Sequence, residues 1–240
     1  MFCRVIHRML GLYARILSRV SVTGREHIPE QGPFLLIVNH LSSADVPVVL
    51  SVIPAGLKMT GMAAMAHRKD FFVGWLMDQC DAVWVRRGQS DRKALRRALE
   101  LLAAGRPLGV APEGTRSRTG ALIEAKSGAT YLAVKAGVPI LPIALACTDK
   151  VYPSLRRLRR ATVQVRIASP FFLPPRGDGS RSEHMGYCTE LMMTRLASLL
   201  PEAYRGFYAG HPLISYWDQL DASGAADRPE WKKDTIPMSI

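Results

Sequence analysis

The chain has 240 residues, 48% hydrophobic and 22% charged, a composition that excludes a disordered, collagen-like or coiled-coil chain. Lys and Arg number 32 against 20 Asp and Glu, and the net charge of +12 favours an anionic partner: a membrane surface, a nucleic acid or a phosphorylated substrate. The longest stretch without a charge, residues 31–44, falls short of the roughly 18 apolar residues a bilayer span needs, so no transmembrane helix is expected.

Residues 201–240 hold four basic and six acidic side chains, so the first 200 carry 28 minus 14, or +14. The basic part is the working part. Cys3, Cys80, Cys147 and Cys188 lie far apart, form no C-x-x-C pair and have no zinc-like His spacing, and they read as reduced cytosolic thiols.

In residues 1–22 the apolar run from Met9 to Ala14 is too short for a signal peptide. At about 100° per residue, Arg4, Arg8, Arg15 and Arg19 fall within a sector of roughly 60° beside a wider face of Phe2, Val5, Ile6, Met9, Leu12, Tyr13, Ile16 and Leu17. That pattern is an amphipathic helix with a basic edge. It either packs on the domain with its arginines in water or lies in a membrane interface.

Next comes a turn-rich connection from Gly24 to Gly32, then a short apolar strand over 34–38 that delivers Asn39 and His40 to its end. A helix follows from Ser43 or Asp45, with Pro47 limiting how early it starts. Further strands are expected at 82–85, 108–111, 140–146 and 162–167, and helices at 91–104, 127–136 and 183–200. The alternation indicates one α/β layered domain over 23–200, with a largely parallel sheet flanked by helices. Pro142 inside the 140–146 run suggests a strand that begins after it or lies at an edge. Residues 169–181 read as a linker, 201–240 as a C-terminal extension, and the part beyond about 218 as a loose tail.

Chemistry concentrates in Asn39-His40-Leu41-Ser42-Ser43-Ala44-Asp45. On one straight helix His40 and Asp45 would diverge by about 140°. At a strand end turning into a helix they can meet, and an Asp that accepts from one imidazole nitrogen leaves the other as a base. The competing reading makes Ser42 and Asp45 a capping box and His40 a core histidine. No G-x-S-x-G elbow or catalytic Cys context is present, so the base would activate a substrate hydroxyl. A second segment, Pro112-Glu113-Gly114-Thr115-Arg116-Ser117-Arg118, follows the 108–111 strand. An Arg in a Gly-containing loop at a strand's carboxyl end suits a phosphate.

Together these segments resemble the glycerolipid acyltransferase family, of the type that acylates 1-acyl-sn-glycerol 3-phosphate, over about residues 20–200. Four family blocks occur in order: Asn39-His40 with Asp45, Val83-Trp84-Val85-Arg86-Arg87, Glu113-Gly114-Thr115-Arg116, and Val138-Pro139-Ile140-Leu141-Pro142-Ile143. The resemblance implies His40 as general base, Asp45 as its orienter, Arg116 with Arg87 or Arg86 as phosphate contacts, and Glu113, Gly114 and Thr115 as part of the acceptor site. Lys126 would add positive charge there. The implied reaction moves an acyl group from acyl-CoA or acyl carrier protein to a lysophospholipid hydroxyl, giving phosphatidic acid, at the cytoplasmic face of an anionic membrane. It needs no metal or nucleotide cofactor and no nucleic acid. Backbone N–H groups near His40 or Gly114 are candidates for holding the oxyanion. Phe71, Phe72, Trp75, Met59, Met62, Met65 and Met77 form either core or an acyl-chain groove. Another acceptor within the family, such as glycerol 3-phosphate or an amino-acid lipid, and a non-enzymatic membrane binder remain as alternatives.

Overall fold

The computed structural model describes residues 2–88 and 91–224; the side chains of Phe2 and Phe72 and the segment 225–240 lie outside the described residues. In chain order the elements are α1 Phe2–Leu17, β1 Ser18–Thr23, β2 Leu35–Val38, α2 Asp45–Val52, β3 Thr60–Ala64, α3 Phe71–Gln79, β4 Val83–Val85 and α4 Arg92–Ala103. They continue with β5 Leu108–Val110, α5 Gly128–Ala136, β6 Ile140–Ala146, α6 Val151–Leu155, β7 Ala161–Ile167, α7 Arg181–Ser198, α8 Glu202–Arg205 and α9 Pro212–Ala222. The strands form a seven-stranded sheet in the order β1-β7-β6-β2-β5-β3-β4, parallel at every pairing except β6 with β7. This is the expected α/β architecture of a mostly parallel sheet flanked by helices.

Alternation along β2 divides the core. Leu35 and Ile37 point into a layer shared with α4, α5, α7 and α9, while Phe34 and Leu36 point into a layer shared with α1 and α2. Both faces of the central strands are covered, so β6 is apolar and buried throughout. Near the edge, β7 alternates buried Ala161, Val163, Val165 and Ile167 with exposed residues, the mark of a half-covered strand.

Four sequence expectations change at the element level. The helix expected over 1–22 ends at Leu17, and Ser18–Thr23 is instead an edge strand in parallel register with β7, from Ser18 opposite Ala161 to Thr23 opposite Arg166. The two-residue alternation of Ser18, Val20 and Val22 overrides the helical spacing that Arg19 had extended. Pro142 lies inside β6 and not at an edge: the ladder to β7 begins only at Ile143 opposite Ile167, and the Pro142 carbonyl accepts from the Ala168 N–H at 3.2 Å beyond the end of β7. Residues 201–222 fold onto α7, with Trp217 only 1% exposed and its indole N–H donating to Thr194 Oγ1 at 3.1 Å, and with Arg195 gripping Asp221 through two bonds of 2.7 Å. The expected linker over 169–181 is pinned at Phe171, which exchanges backbone hydrogen bonds with Ile140.

Helix α1 is fastened along α2. His7 Nε2 bonds the Ile53 carbonyl at 2.8 Å, Arg15 donates to the Ser51 carbonyl at 2.9 Å, and a Cβ on Gly11 would lie 3.1 Å from Ser51 Cα. Glycine is required there because the two backbones approach so closely. The outward side of α1 leaves Met9, Leu12 and Ile16 exposed, and α3 nearby presents Phe71, 92% exposed, and Trp75. Among the described residues no helix is long and apolar enough to cross a membrane.

Candidate active site

Because β2 and β5 are parallel neighbours, their carboxyl ends deliver the two informative loops side by side. Asn39 leaves β2 and continues its ladder with a side chain: its amide donates to the Leu145 carbonyl and accepts from the Leu145 N–H, both at 2.8 Å. This buried pairing on β6 fixes where His40 begins.

Asp45 opens α2 and is 2% exposed. Its Oδ2 accepts from His40 Nδ1 at 2.6 Å, from the Leu41 N–H at 2.7 Å and from the Ser42 N–H at 2.9 Å. A carboxylate partner assigns the proton to Nδ1 and leaves Nε2 as the basic nitrogen. The capping reading thus holds in part, since Asp45 takes the Ser42 N–H, but Ser42 Oγ accepts from the Ala44 N–H and donates to the Thr148 carbonyl at 2.9 Å instead of bonding Asp45. His40 is no core histidine, because its side chain is partly exposed to a cavity. Pro47 is the third residue of α2, inside the first turn where a missing N–H costs nothing.

Behind the histidine, Glu113 is 1% exposed and bridges two loops: Oε1 accepts from the His40 N–H at 2.7 Å and Oε2 from the Ile123 N–H at 3.1 Å. Burial pushes its carboxyl up to about 7, against the lowering effect of those two donors. The Ser117 N–H returns to the His40 carbonyl at 2.8 Å, so both peptide groups of His40 are anchored to the 112–118 loop. This loop needs Gly114 at φ 68°, a left-handed conformation, and a Cβ there would meet Lys126 Cδ at 3.2 Å. The Lys126 side chain therefore runs across Gly114.

A cavity of about 1750 Å³ opens at these loops. One part of its lining, the apolar arm, consists of Ile6, Leu10, Val49, Met59, Met62 and Met77. Its floor is bare sheet: Gly61 and Gly109 face each other across β3 and β5, and Leu36 stands beside Gly109 in register. The other arm is basic, carrying Lys126, Arg86, Arg87, Arg92, Arg96 and Arg181. His40 and Asp45 line the same cavity.

His40, Asp45, Gly114, Lys126 and Arg87 are brought together on this cavity, with Arg86 as well. Glu113 supports it from behind. Thr115 and Arg116 are exposed on the loop and do not line the cavity, so the structure does not bring them to the other site residues. The N–H groups suggested for an oxyanion are occupied: His40 donates to Glu113, Leu41 and Ser42 to Asp45, and Gly114 to the Ala111 carbonyl at 3.0 Å. Met59, Met62 and Met77 line the apolar arm, whereas Phe71 and Trp75 turn outward. Arg92, Arg96 and Arg181 escape sequence reasoning because they come from α4 and α7, with no motif around them. The same holds for Tyr208, whose hydroxyl accepts from the Ala125 N–H at 3.1 Å and steadies the Lys126 loop.

A parallel α/β sheet whose strand ends hold a carboxylate-oriented imidazole over a cavity with one apolar and one basic arm is equipped for base-assisted chemistry on an amphiphilic anion. The chain belongs to the Acyltransferase family, whose model matches residues 19–146. It is 31% identical over 174 residues to 1-acyl-sn-glycerol-3-phosphate acyltransferase alpha of Homo sapiens, covering 69% of this chain and 60% of that protein. It is also 31% identical over 180 residues to the 1-acyl-sn-glycerol-3-phosphate acyltransferase of Saccharomyces cerevisiae, covering 70% and 55%. The chain therefore spans about 60% of the length of such relatives. The crystal structure of the 1-acyl-sn-glycerophosphate (LPA) acyltransferase PlsC from Thermotoga maritima superposes with a TM-score of 0.62 at 29% identity, covering 79% of this chain and 78% of that one.

Proposed function

We propose that the chain transfers a fatty acyl group from a thioester, acyl-CoA or acyl-carrier protein, to the free hydroxyl of 1-acyl-sn-glycerol 3-phosphate, giving phosphatidic acid. The observation that carries this reading is the His40–Asp45 bond of 2.6 Å in a cavity lined by both apolar and basic side chains. Nε2 of His40 removes the hydroxyl proton while the oxygen attacks the thioester carbonyl. The negative Asp45 stabilises the imidazolium that forms, and collapse of the tetrahedral adduct breaks the C–S bond. The imidazolium then returns its proton to the departing thiolate, so the histidine ends neutral and the products are an ester and a thiol. Base assistance of this kind is worth ~10²–10⁴-fold in rate.

The acceptor phosphate belongs to the basic arm, on Lys126 with Arg86 or Arg87, and the acyl chain to the apolar arm. The acceptor comes from a bilayer and the product returns to one, and the exposed Met9, Leu12 and Ile16 of α1 with Phe71 and Trp75 of α3 form the face that would seat there, flanked by Arg4, Arg8 and Arg15. The reading puts this peripheral attachment at the cytoplasmic face. The mechanism uses no metal or nucleotide.

The test is to incubate the purified chain with acyl-CoA or acyl-carrier protein and a panel of acceptors, following free thiol. Release that depends on 1-acyl-sn-glycerol 3-phosphate supports the reading, and release with another acceptor alone would redirect it. No acceptor-dependent release would remove it.

A further inference from the structure

The cluster Arg156-Arg157-Leu158-Arg159-Arg160 and the far end of the α1 basic edge take no part in the proposed chemistry. One member of each meets at a second cavity, of about 240 Å³, where α1 passes into β1. Four arginines line it: Arg15 from α1, Arg19 from β1, Arg25 beyond β1, and Arg160 just before β7. Among the described residues no Asp or Glu lines it, and none is shared with the catalytic cavity.

Two of the four have a structural explanation. The last carbonyls of a helix lack intrahelical donors and carry partial negative charge. Arg15 donates to the Ser51 carbonyl in the final turn of α2, and Arg160 donates to the Arg15 carbonyl at the end of α1 and to the Ser18 carbonyl at 2.7 Å. Those bonds hold two guanidinium groups in place while leaving each with unused N–H donors, since the group has five. Arg19 and Arg25 have no ion pair or side-chain hydrogen bond among the described residues. Four like charges around one cleft repel one another, and beyond those carbonyls no described residue lining it offsets that.

We infer that this cleft is a second anion site, separate from the catalytic centre, that takes a phosphate group. The planar guanidinium fork matches paired phosphate oxygens, which favours phosphate over a simple halide. All four arginines are exposed, so the phosphate arrives either on an anionic phospholipid headgroup or as free inorganic phosphate. The inference does not depend on the reaction proposed above.

The test compares the full chain with Arg19→Gln/Arg25→Gln and with Arg156→Gln/Arg157→Gln, which removes equal charge from residues that do not line the cleft. One arm measures the melting temperature with inorganic phosphate against chloride at constant ionic strength. The other measures binding to phosphatidylcholine vesicles containing phosphatidate. A site specific for the cleft predicts that phosphate raises the melting temperature of the wild type and the control pair clearly more than that of the Arg19/Arg25 pair, whose remaining rise comes from the basic arm of the catalytic cavity. If the source is a lipid headgroup, the Arg19/Arg25 pair also binds the vesicles roughly ten-fold more weakly than the control pair. Protection by phosphate with equal vesicle binding by both pairs assigns the cleft to free phosphate. Equal behaviour of the two pairs in both arms would overturn the inference, leaving only diffuse surface charge. Arg19→Lys/Arg25→Lys, which keeps the charge and loses the fork, should recover less than half of the phosphate effect.

Discussion

Replacing Asp45 by Asn probes the centre of the proposed mechanism with almost no change in volume. In the native site one oxygen accepts three N–H bonds, from His40, Leu41 and Ser42, while Oδ1 is buried with no hydrogen-bond partner among the described residues. Asparagine keeps the three acceptor contacts only by placing its oxygen where Oδ2 stands. Its NH₂ then occupies the Oδ1 position as a buried donor without an acceptor, costing ~1–3 kcal/mol of stability. The bond to His40 becomes neutral and about half as strong, and the imidazolium loses its counter-charge. Losing the oriented base should lower turnover by ~10²–10⁴-fold, or about 2.7–5.4 kcal/mol of barrier at 1.36 kcal/mol per decade. His40→Ala should fall as far, and the double variant little further, because the two residues act as a unit. Thiol release at saturating donor, run beside a thermal melt and a far-ultraviolet circular dichroism spectrum, separates chemistry from unfolding. Turnover of Asp45→Asn within about three-fold of wild type, in a protein that still melts cooperatively, would refute the assignment.

Glu113 supplies a pH test: burial raises its carboxyl to about 7, so the folded chain holds this proton where the unfolded chain has released it. Stability from this group is complete below the ordinary carboxylate range and is lost as pH rises toward about 7; Glu113→Gln should flatten that slope in melts taken across pH, and an unchanged slope would count against it. Lys126→Ala should raise the KM for lysophosphatidate several-fold while Arg116→Ala, exposed and outside the cavity, changes it less than two-fold; the reverse order would place the phosphate on the outer loop. A Cβ on Gly109 would stand 3.9 Å from Met59 Cε and 4.0 Å from Leu36 Cδ2, so the further methyls of Gly109→Val project into the apolar arm. The ratio of kcat/KM for long over short acyl donors should fall ~10-fold or more, and a constant ratio would move the acyl chain elsewhere.

How much of this was legible depended on sequence distance. His40 and Asp45 are five apart, and a strand-to-helix junction is a local event that residue types announce. The Glu113 bond to His40 spans 73 positions and becomes visible only once β2 and β5 are known to be neighbours. Expected strands 34–38, 108–111 and 140–146 carried strong apolar runs and were found. β1 was masked by Arg19 falling in phase with a helix, and β3, Thr60-Gly61-Met62-Ala63-Ala64, lacks the β-branched run that advertises a strand. Pro142 misled because its cost depends on whether a partner strand lies opposite its nitrogen, which is a tertiary fact. The exposure of Arg116 and the gathering of Arg92, Arg96 and Arg181 likewise follow from packing.

The clasp between the first two helices changes what an N-terminal truncation would mean. His7, Gly11 and Arg15 hold the last turn of α2 and the residue after it, and the first residue of the same helix is Asp45. The segment that offers itself as a detachable surface tether is thus also the brace of the helix whose first residue aims the histidine. Trimming residues 2–17 to obtain a freely soluble catalyst would loosen that brace and unroof the apolar arm together. Activity would then fall even on short-chain substrates in free solution, and grafting a foreign membrane anchor onto the shortened chain would restore its address without restoring its rate.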